Sequence, residues 1–137
     1  MHKYELAVLK IVADTSFLMI PGLFRVDILA ELNRILQRRY EILVPEPVVR
    51  ELEYLSRRGT PSERSAARLA LSALDQMKIL PSSSESADLT ILEIAKKHPD
   101  YLVATADYLL QKRLQKLGVN IIRLRQRTHL MLEREIE

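Results

Sequence analysis

The ten residues Ile11–Ile20, IVADTSFLMI, begin as an apolar run and then meet an acid. Ile11, Val12 and Ala13 read as the end of a strand buried on both faces, which is the pattern of a parallel sheet. Asp14 follows at the strand's tip, with the hydroxyl residues Thr15 and Ser16 directly after it. A carboxylate at the end of a core strand is costly unless something compensates its charge. Either Asp14 caps the turn after the strand or it is held there for chemistry. The position alone leaves both open.

The pattern around this stretch alternates. LKIVAD (9–14), YEILVP (40–45), MKILP (77–81), YLVAT (101–105) and VNIIRL (119–124) read as strands. Between them, LFRVDILAELNRILQR (23–38) places Ile28, Leu32, Ile35 and Leu36 on one helical face. A helix opens near Pro47, runs through VVRELEYLSRR and stops at Gly59; another opens at Thr60 and Pro61 and runs to Gln76. SSSESADLTILEIAKKH leads into a further helix, with Ser82 and Glu85 at capping-box spacing. ADYLLQKRLQKLG is a helix closed by Gly118, and the tail THLMLEREIE is expected to form a last helix. Strands alternating with helices mean a parallel sheet covered on both faces. We therefore expect an α/β fold: one three-layer α/β/α domain over residues 1–137, with a central parallel sheet of about five strands.

Composition narrows the function classes. The 137 residues are 47% hydrophobic and 28% charged, an ordinary globular balance. The formal net charge is +3 and the pI about 9.3, which mildly favours a polyanionic partner. The absence of cysteine excludes a disulfide framework, a thiolate metal site and a Cys nucleophile, and it fits a reducing cytoplasm. No apolar run approaches the roughly 18 residues of a membrane span, so no membrane association is expected. Glu5 and Lys10 interrupt the opening segment, against a secretory leader. The three glycines are too scattered for a phosphate-cradling loop, which argues against a nucleotide-binding α/β domain. A Ser-His-Asp triad is not expected either: His2 lies near the terminus, His98 on a helix end and His129 in the tail.

In parallel α/β sheets, sites lie beyond the carboxyl ends of the strands, where strand order reverses. Four acids fall there. Asp14 ends the first strand, Glu51 lies about one turn into the helix after the second, Asp88 lies in the first turn after the third, and Asp107 lies two residues past the fourth. Each has an ordinary structural role open to it: a turn cap for Asp14, a helix N-cap for Asp107, a favourable helix start for Asp88, a solvated helix face for Glu51. Their shared edge is the informative feature. Crowded carboxylates repel one another and are relieved by a cation. An all-oxygen set suits a hard ion such as Mg²⁺ or Mn²⁺. Ser16 and Thr105 add hydroxyls at the same edge, placed to orient a ligand or water.

These segments resemble the PIN domain family. DTSFLMIP is similar to its opening motif, VPEPVVRELEYL to its second, SADLTILEIA to its third, and VATADYLLQKRLQKLGVNIIRLRQ to its fourth motif and last strand. The likeness covers nearly the whole chain as a single PIN-like domain. It leans toward an archaeal branch related to a eukaryotic nuclease of small-subunit ribosomal RNA processing and, more loosely, toward VapC-type toxins. The resemblance implies Mg²⁺- or Mn²⁺-dependent endoribonuclease cleavage by water, with Asp14, Glu51, Asp88 and Asp107 as catalytic and metal-holding acids and Ser16 and Thr105 as accessories. Three positions depart from the family pattern: Ser16 and Ala106 stand where relatives often carry Asn, and Leu89 where they often carry a second acid.

Lys112, Arg113, Lys116, Arg123, Arg125 and Arg127 make the end of the chain basic and are candidates to track an RNA backbone. For each one singly, a solvated surface position is the ordinary alternative. With aromatics at 5%, base stacking is expected to be a minor contribution. The leading expectation is a ribonuclease acting on ribosomal RNA precursors, with RNA and ribosome-assembly factors as partners. The alternatives are a toxin ribonuclease held by an antitoxin and a non-catalytic RNA-binding assembly factor. The resemblance also implies that such domains often pair, and the helices near 23–38 and 47–75 have apolar residues to spare for a homodimer.

Overall fold

The computed structural model describes residues 7–133. Its centre is a six-stranded sheet: β1 (Leu9–Ala13), β2 (Tyr40–Pro45), β3 (Lys78–Leu80), β4 (Leu102–Ala104), β5 (Ile121–Arg125) and β6 (His129–Glu133), in the spatial order β3-β2-β1-β4-β5-β6. β1 lies parallel to both neighbours, with Val12 opposite Leu43 on one side and Val103 on the other. Only the β5–β6 pair is antiparallel. The helices are α1 (Thr15–Leu18), α2 (Ile20–Phe24), α3 (Ile28–Leu36), α4 (Glu46–Arg58), α5 (Pro61–Ser72), α6 (Ala87–Lys97) and α7 (Tyr108–Lys116), with a 3₁₀ turn over Leu74–Gln76. The arrangement is the expected three-layer α/β/α sandwich. Ile11, Val12, Val44, Val103 and Ile122 are fully or almost fully buried, as strands covered on both faces require. No helix among the described residues is long and apolar enough to cross a membrane.

Several boundaries differ from the sequence reading, each for a local reason. The run 23–38 is two helices: Arg25 adopts a left-handed conformation (φ 57°) and ends α2, and the Asp27 side chain then accepts the Ala30 N–H and starts α3. The capping residue of α6 is Ser86, which accepts from the Leu89 N–H; the Ser82 N–H instead donates to Glu46. Gly59 ends α4 in an extended conformation, and Gly118 follows α7 with φ 73°. The expected last helix is absent as far as residue 133. His129–Glu133 form the sixth strand, and the rest of that segment lies outside the described residues.

A clamp from α3 explains why this helix-forming sequence is extended. Glu31 accepts the Leu130 N–H at 2.9 Å and is held bidentate by Arg34, which in turn donates to the Leu130 carbonyl at 3.1 Å. Both backbone groups of Leu130 are thus claimed, and Leu130 itself is buried. Tertiary pairing here overrides local propensity. The Arg34 hydrogen bonds, then that from Leu130, lower the Glu31 pKa to about 2.

One close approach fixes the helical layer. Gly22 on α2 faces Ala66 on α5 so tightly that an added Cβ would lie 2.4 Å from the Ala66 Cα. Ala66, Ala67 and Ala70 keep this face of α5 small.

Two predictions follow from these contacts. Gly22→Ala should destabilise the fold by about 1–3 kcal/mol in urea unfolding, because the α2–α5 crossing must open. Glu31 has a folded-state pKa below its ordinary 4.5, so its contribution is complete above that pH and is lost as pH falls toward 2. Glu31→Gln should be the less stable protein at pH 7, and its deficit should shrink between pH 4.5 and 2 when both are unfolded by urea at each pH.

Candidate active site

Strand order reverses at β1, whose neighbours β2 and β4 lead the chain to opposite edges of the sheet. Asp14 stands at that point. It is 4% exposed, and its N–H continues the pairing by donating to the Ala104 carbonyl at 3.0 Å. Its Oδ2 accepts hydrogen bonds from Ser16 Oγ at 2.8 Å and from the fully buried Thr105 Oγ1 at 2.9 Å. Each hydroxyl spends its single hydrogen on Asp14 and accepts a backbone N–H in return, Ser16 from Ala106 at 2.9 Å and Thr105 from Asp107 at 3.0 Å. Gln111 ties the same loop down by donating to the Thr105 carbonyl. The loop after β4 is therefore built around the Asp14 carboxylate. Oδ1 accepts nothing among the described residues, and since no buried polar side-chain atom there lacks a partner, it opens onto solvent.

The other three acids face the same space. Asp107 caps α7 with Oδ1, accepting the N–H groups of Leu109 and Leu110 at 2.9 and 3.2 Å. Glu51, on α4, accepts a hydrogen bond from the Thr15 hydroxyl on Oε2. Asp88 lies in the first turn of α6. All four line one cavity of about 700 Å³, with Glu63, Glu85 and Arg50 also on its wall. Burial, and then the charges of Asp14 and Asp88, raise the pKa of Glu51 against the opposing Thr15 hydrogen bond. Burial, and then Asp14 and Asp107, raise that of Asp88, with Arg113 opposing. The carboxylates are close enough to repel.

This donor set is all oxygen, mutually repulsive and retains at least one uncommitted oxygen on each of Asp14, Glu51, Asp88 and Asp107 among the described residues. It fits a hard divalent ion. Among the described residues no three His, Asp or Glu side chains form a ready-made cage. An ion such as Mg²⁺ keeps several waters and takes only one or two carboxylates directly, so it does not need such a cage.

The basic residues are distributed unevenly. Arg113 acts on Asp88, and the Arg127 guanidinium lies 5.9 Å from the Phe24 ring centroid at the cavity. Lys112 sits over Tyr108 at 5.1 Å. Lys116 is exposed on the last turn of α7. Arg123 is committed to Glu133 at 2.5 Å, and Arg125 contacts Met131. Arg123 and Arg125 are thus occupied within the β5–β6 pair rather than gathered at the acids. His98 stacks on Tyr101, and His129 lies in β6, so neither joins the site. Sequence reading passed over Thr15 as a partner for Glu51, and over Arg50 and Tyr54 as wall residues; for Tyr54 the three-residue spacing from Glu51 on α4 was the available signal.

The residues 11–127 match the family model described as "PIN like domain". "Ribonuclease VapC4" of Methanocaldococcus jannaschii is 32% identical over 122 residues, 88% of this chain and 93% of that protein. "Ribonuclease VapC9" of Archaeoglobus fulgidus is 31% identical over 110 residues, 80% of this chain and 78% of that protein. Among solved structures, the PIN domain endonuclease Utp24 superposes with a TM-score of 0.76 at 26% identity over 93% of both chains. A domain of a functionally unknown protein from Methanocaldococcus jannaschii shares the fold, with a TM-score of 0.57 at 20% identity over 95% of this chain and 97% of that one. The motifs around Asp14, Glu51, Asp88 and Asp107 thus lie within a chain that belongs to the PIN-like domain family.

Proposed function

We propose that this single PIN-like domain is a Mg²⁺- or Mn²⁺-dependent endoribonuclease, with ribosomal RNA precursors as its substrate. The observation that carries the reading is the convergence of Asp14, Glu51, Asp88 and Asp107, from four separate elements, on one cavity at the sheet's reversal point. The names of two relatives as ribonucleases and of a structural neighbour as an endonuclease support it. The VapC names also favour a second reading, a toxin-type ribonuclease restrained by an antitoxin.

In this reading Asp14, Asp88 and Asp107 hold the ion, directly or through water. When bound, it supplies charge compensation, polarises the phosphate and stabilises the departing 3′ oxygen. Glu51 takes the proton of the attacking water on Oε1, because Oε2 is engaged by Thr15. The Ser16 and Thr105 hydroxyls fix Asp14 through Oδ2 and leave Oδ1 for the ion. Arg113 and Arg127, with Lys112 and Lys116 beyond them, attract the RNA backbone. Arg123 and Arg125 contribute only to the surrounding field.

Asp14→Asn should abolish Mn²⁺-dependent RNA cleavage while the circular dichroism spectrum and unfolding midpoint stay near those of the parent; undiminished cutting would refute the assignment. Glu51→Gln should lower the rate by about 10²- to 10⁴-fold, the usual span for a general base. Asp88→Asn should raise the unfolding midpoint at pH 7 without metal. The sign follows from a folded-state pKa raised above the ordinary 3.8: burial of the charge, and then repulsion from Asp14 and Asp107, penalise the folded state above that range and vanish below it. The gain should disappear near pH 3, and Mn²⁺ should stabilise the parent more than the variant.

A further inference from the structure

The cavity that holds the acids has a wall that the cleavage chemistry does not use. Met19, Leu23, Phe24, Tyr54 and Leu55 line it. Tyr54 follows Glu51 by three positions on α4, so the two side chains share a helical face. Tyr54 is 64% exposed and Leu23 41% exposed, so neither is placed by core packing. Phe24 carries the guanidinium of Arg127 over its ring. Arg127 comes from a turn in which both Gln126 and Arg127 are left-handed, with φ of 55° and 60°. Asn-Gly would satisfy such a turn without strain, so keeping an arginine there is unfavourable for the backbone.

We propose that this wall is a nucleobase subsite: a base next to the scissile phosphate leaves its stack and lies against Tyr54, with Leu23 and Phe24 beside it and Arg127 meeting an adjoining phosphate, while Arg50, which donates to the Ser84 carbonyl at 2.7 Å, frames the cavity. The inference rests on the nuclease reading above. An RNA strand is the occupant for two reasons. Aromatic faces interleaved with guanidinium groups are how proteins hold single strands, since every base has a π-face to stack. The wall is also continuous with the acids, so a strand whose phosphate reaches Asp14 must lay its neighbouring nucleotide along the same cavity. A base held in a duplex cannot reach Tyr54, and the wall then selects where the chain is cut.

The test is single-turnover cleavage in Mn²⁺ of a single-stranded oligonucleotide, and of copies with one abasic position walked through the nucleotides flanking the cut. Parent, Tyr54→Phe, Tyr54→Ala and a control, Leu117→Ala, are compared; Leu117 is an exposed apolar residue at the far end of α7 from Asp107 and does not line the cavity. Tyr54→Ala should lower kcat/KM about 5- to 100-fold, within the usual range for losing one base–aromatic stack. Tyr54→Phe and Leu117→Ala should stay near the parent. One abasic position should slow the parent to a similar degree and leave Tyr54→Ala unaffected, the coupling expected of groups in contact. Equal rates for parent and Tyr54→Ala, or the same abasic penalty in both, would overturn the subsite. So would a change of molecular mass in Tyr54→Ala without loss of cleavage, which would assign the wall to a protein partner. If the parent cuts no RNA, the nuclease reading fails by itself. The subsite is then read from binding of a 2-aminopurine oligonucleotide, where equal affinity and quenching in parent and Tyr54→Ala would overturn it.

Discussion

Two hydroxyls on one carboxylate oxygen organise this molecule's working edge. Ser16 and Thr105 both donate to Asp14 Oδ2, and each accepts a backbone N–H from the loop after β4. The arrangement joins β1 to β4 beyond the last ladder hydrogen bond. It also leaves Asp107 at the start of α7, where two N–H groups hold one of its oxygens. A buried carboxylate needs such partners. Once they are supplied, one oxygen of Asp14 and one of Asp107 remain uncommitted among the described residues, and both residues line the cavity.

The resulting site is electrostatically unfavourable as it stands. Glu51 and Asp88 are brought toward Asp14 from α4 and α6, and burial together with repulsion raises their pKa values. Functional sites commonly carry such local conflict, stabilised by the surrounding fold. Here the surroundings include the tight α2–α5 crossing at Gly22 and the clamp of Glu31 and Arg34 on Leu130. The clamp secures β6 beside β5. The turn between those strands sends Arg127 to Phe24, so an edge strand far from the acids bears on the wall beside them.

The first five strands and the placement of the acids were legible because their signals are local: apolar runs of strand length, four of them followed by an acid at the strand's end or early in the next helix. The family motifs strengthened the same positions. What escaped was tertiary in origin. Residues 129–133 have helix-forming composition, and only the partnership with β5 and α3 makes them a strand. The break at Arg25 needs a left-handed residue that no glycine announces. Ser82 and Ser86 are equally good caps in isolation, and contact with Glu46 removes the first. Arg123 and Arg125 do alternate on one strand, yet Glu133 and Met131, residues of the misread segment, occupy them. The cavity's apolar wall was missed because Tyr54 and Leu23 lie far apart in sequence and come to one wall only when α4 and α2 are placed around the cavity.

The central claim is that a divalent ion completes the four-acid edge. Anomalous scattering from crystals equilibrated with Mn²⁺ tests it most directly, because it locates the ion without reference to activity. A peak within coordination or water-bridged distance of Asp14, Asp88 and Asp107 is expected. A cavity free of anomalous signal under Mn²⁺ concentrations that support RNA cleavage, or a peak bound away from these carboxylates, would contradict it.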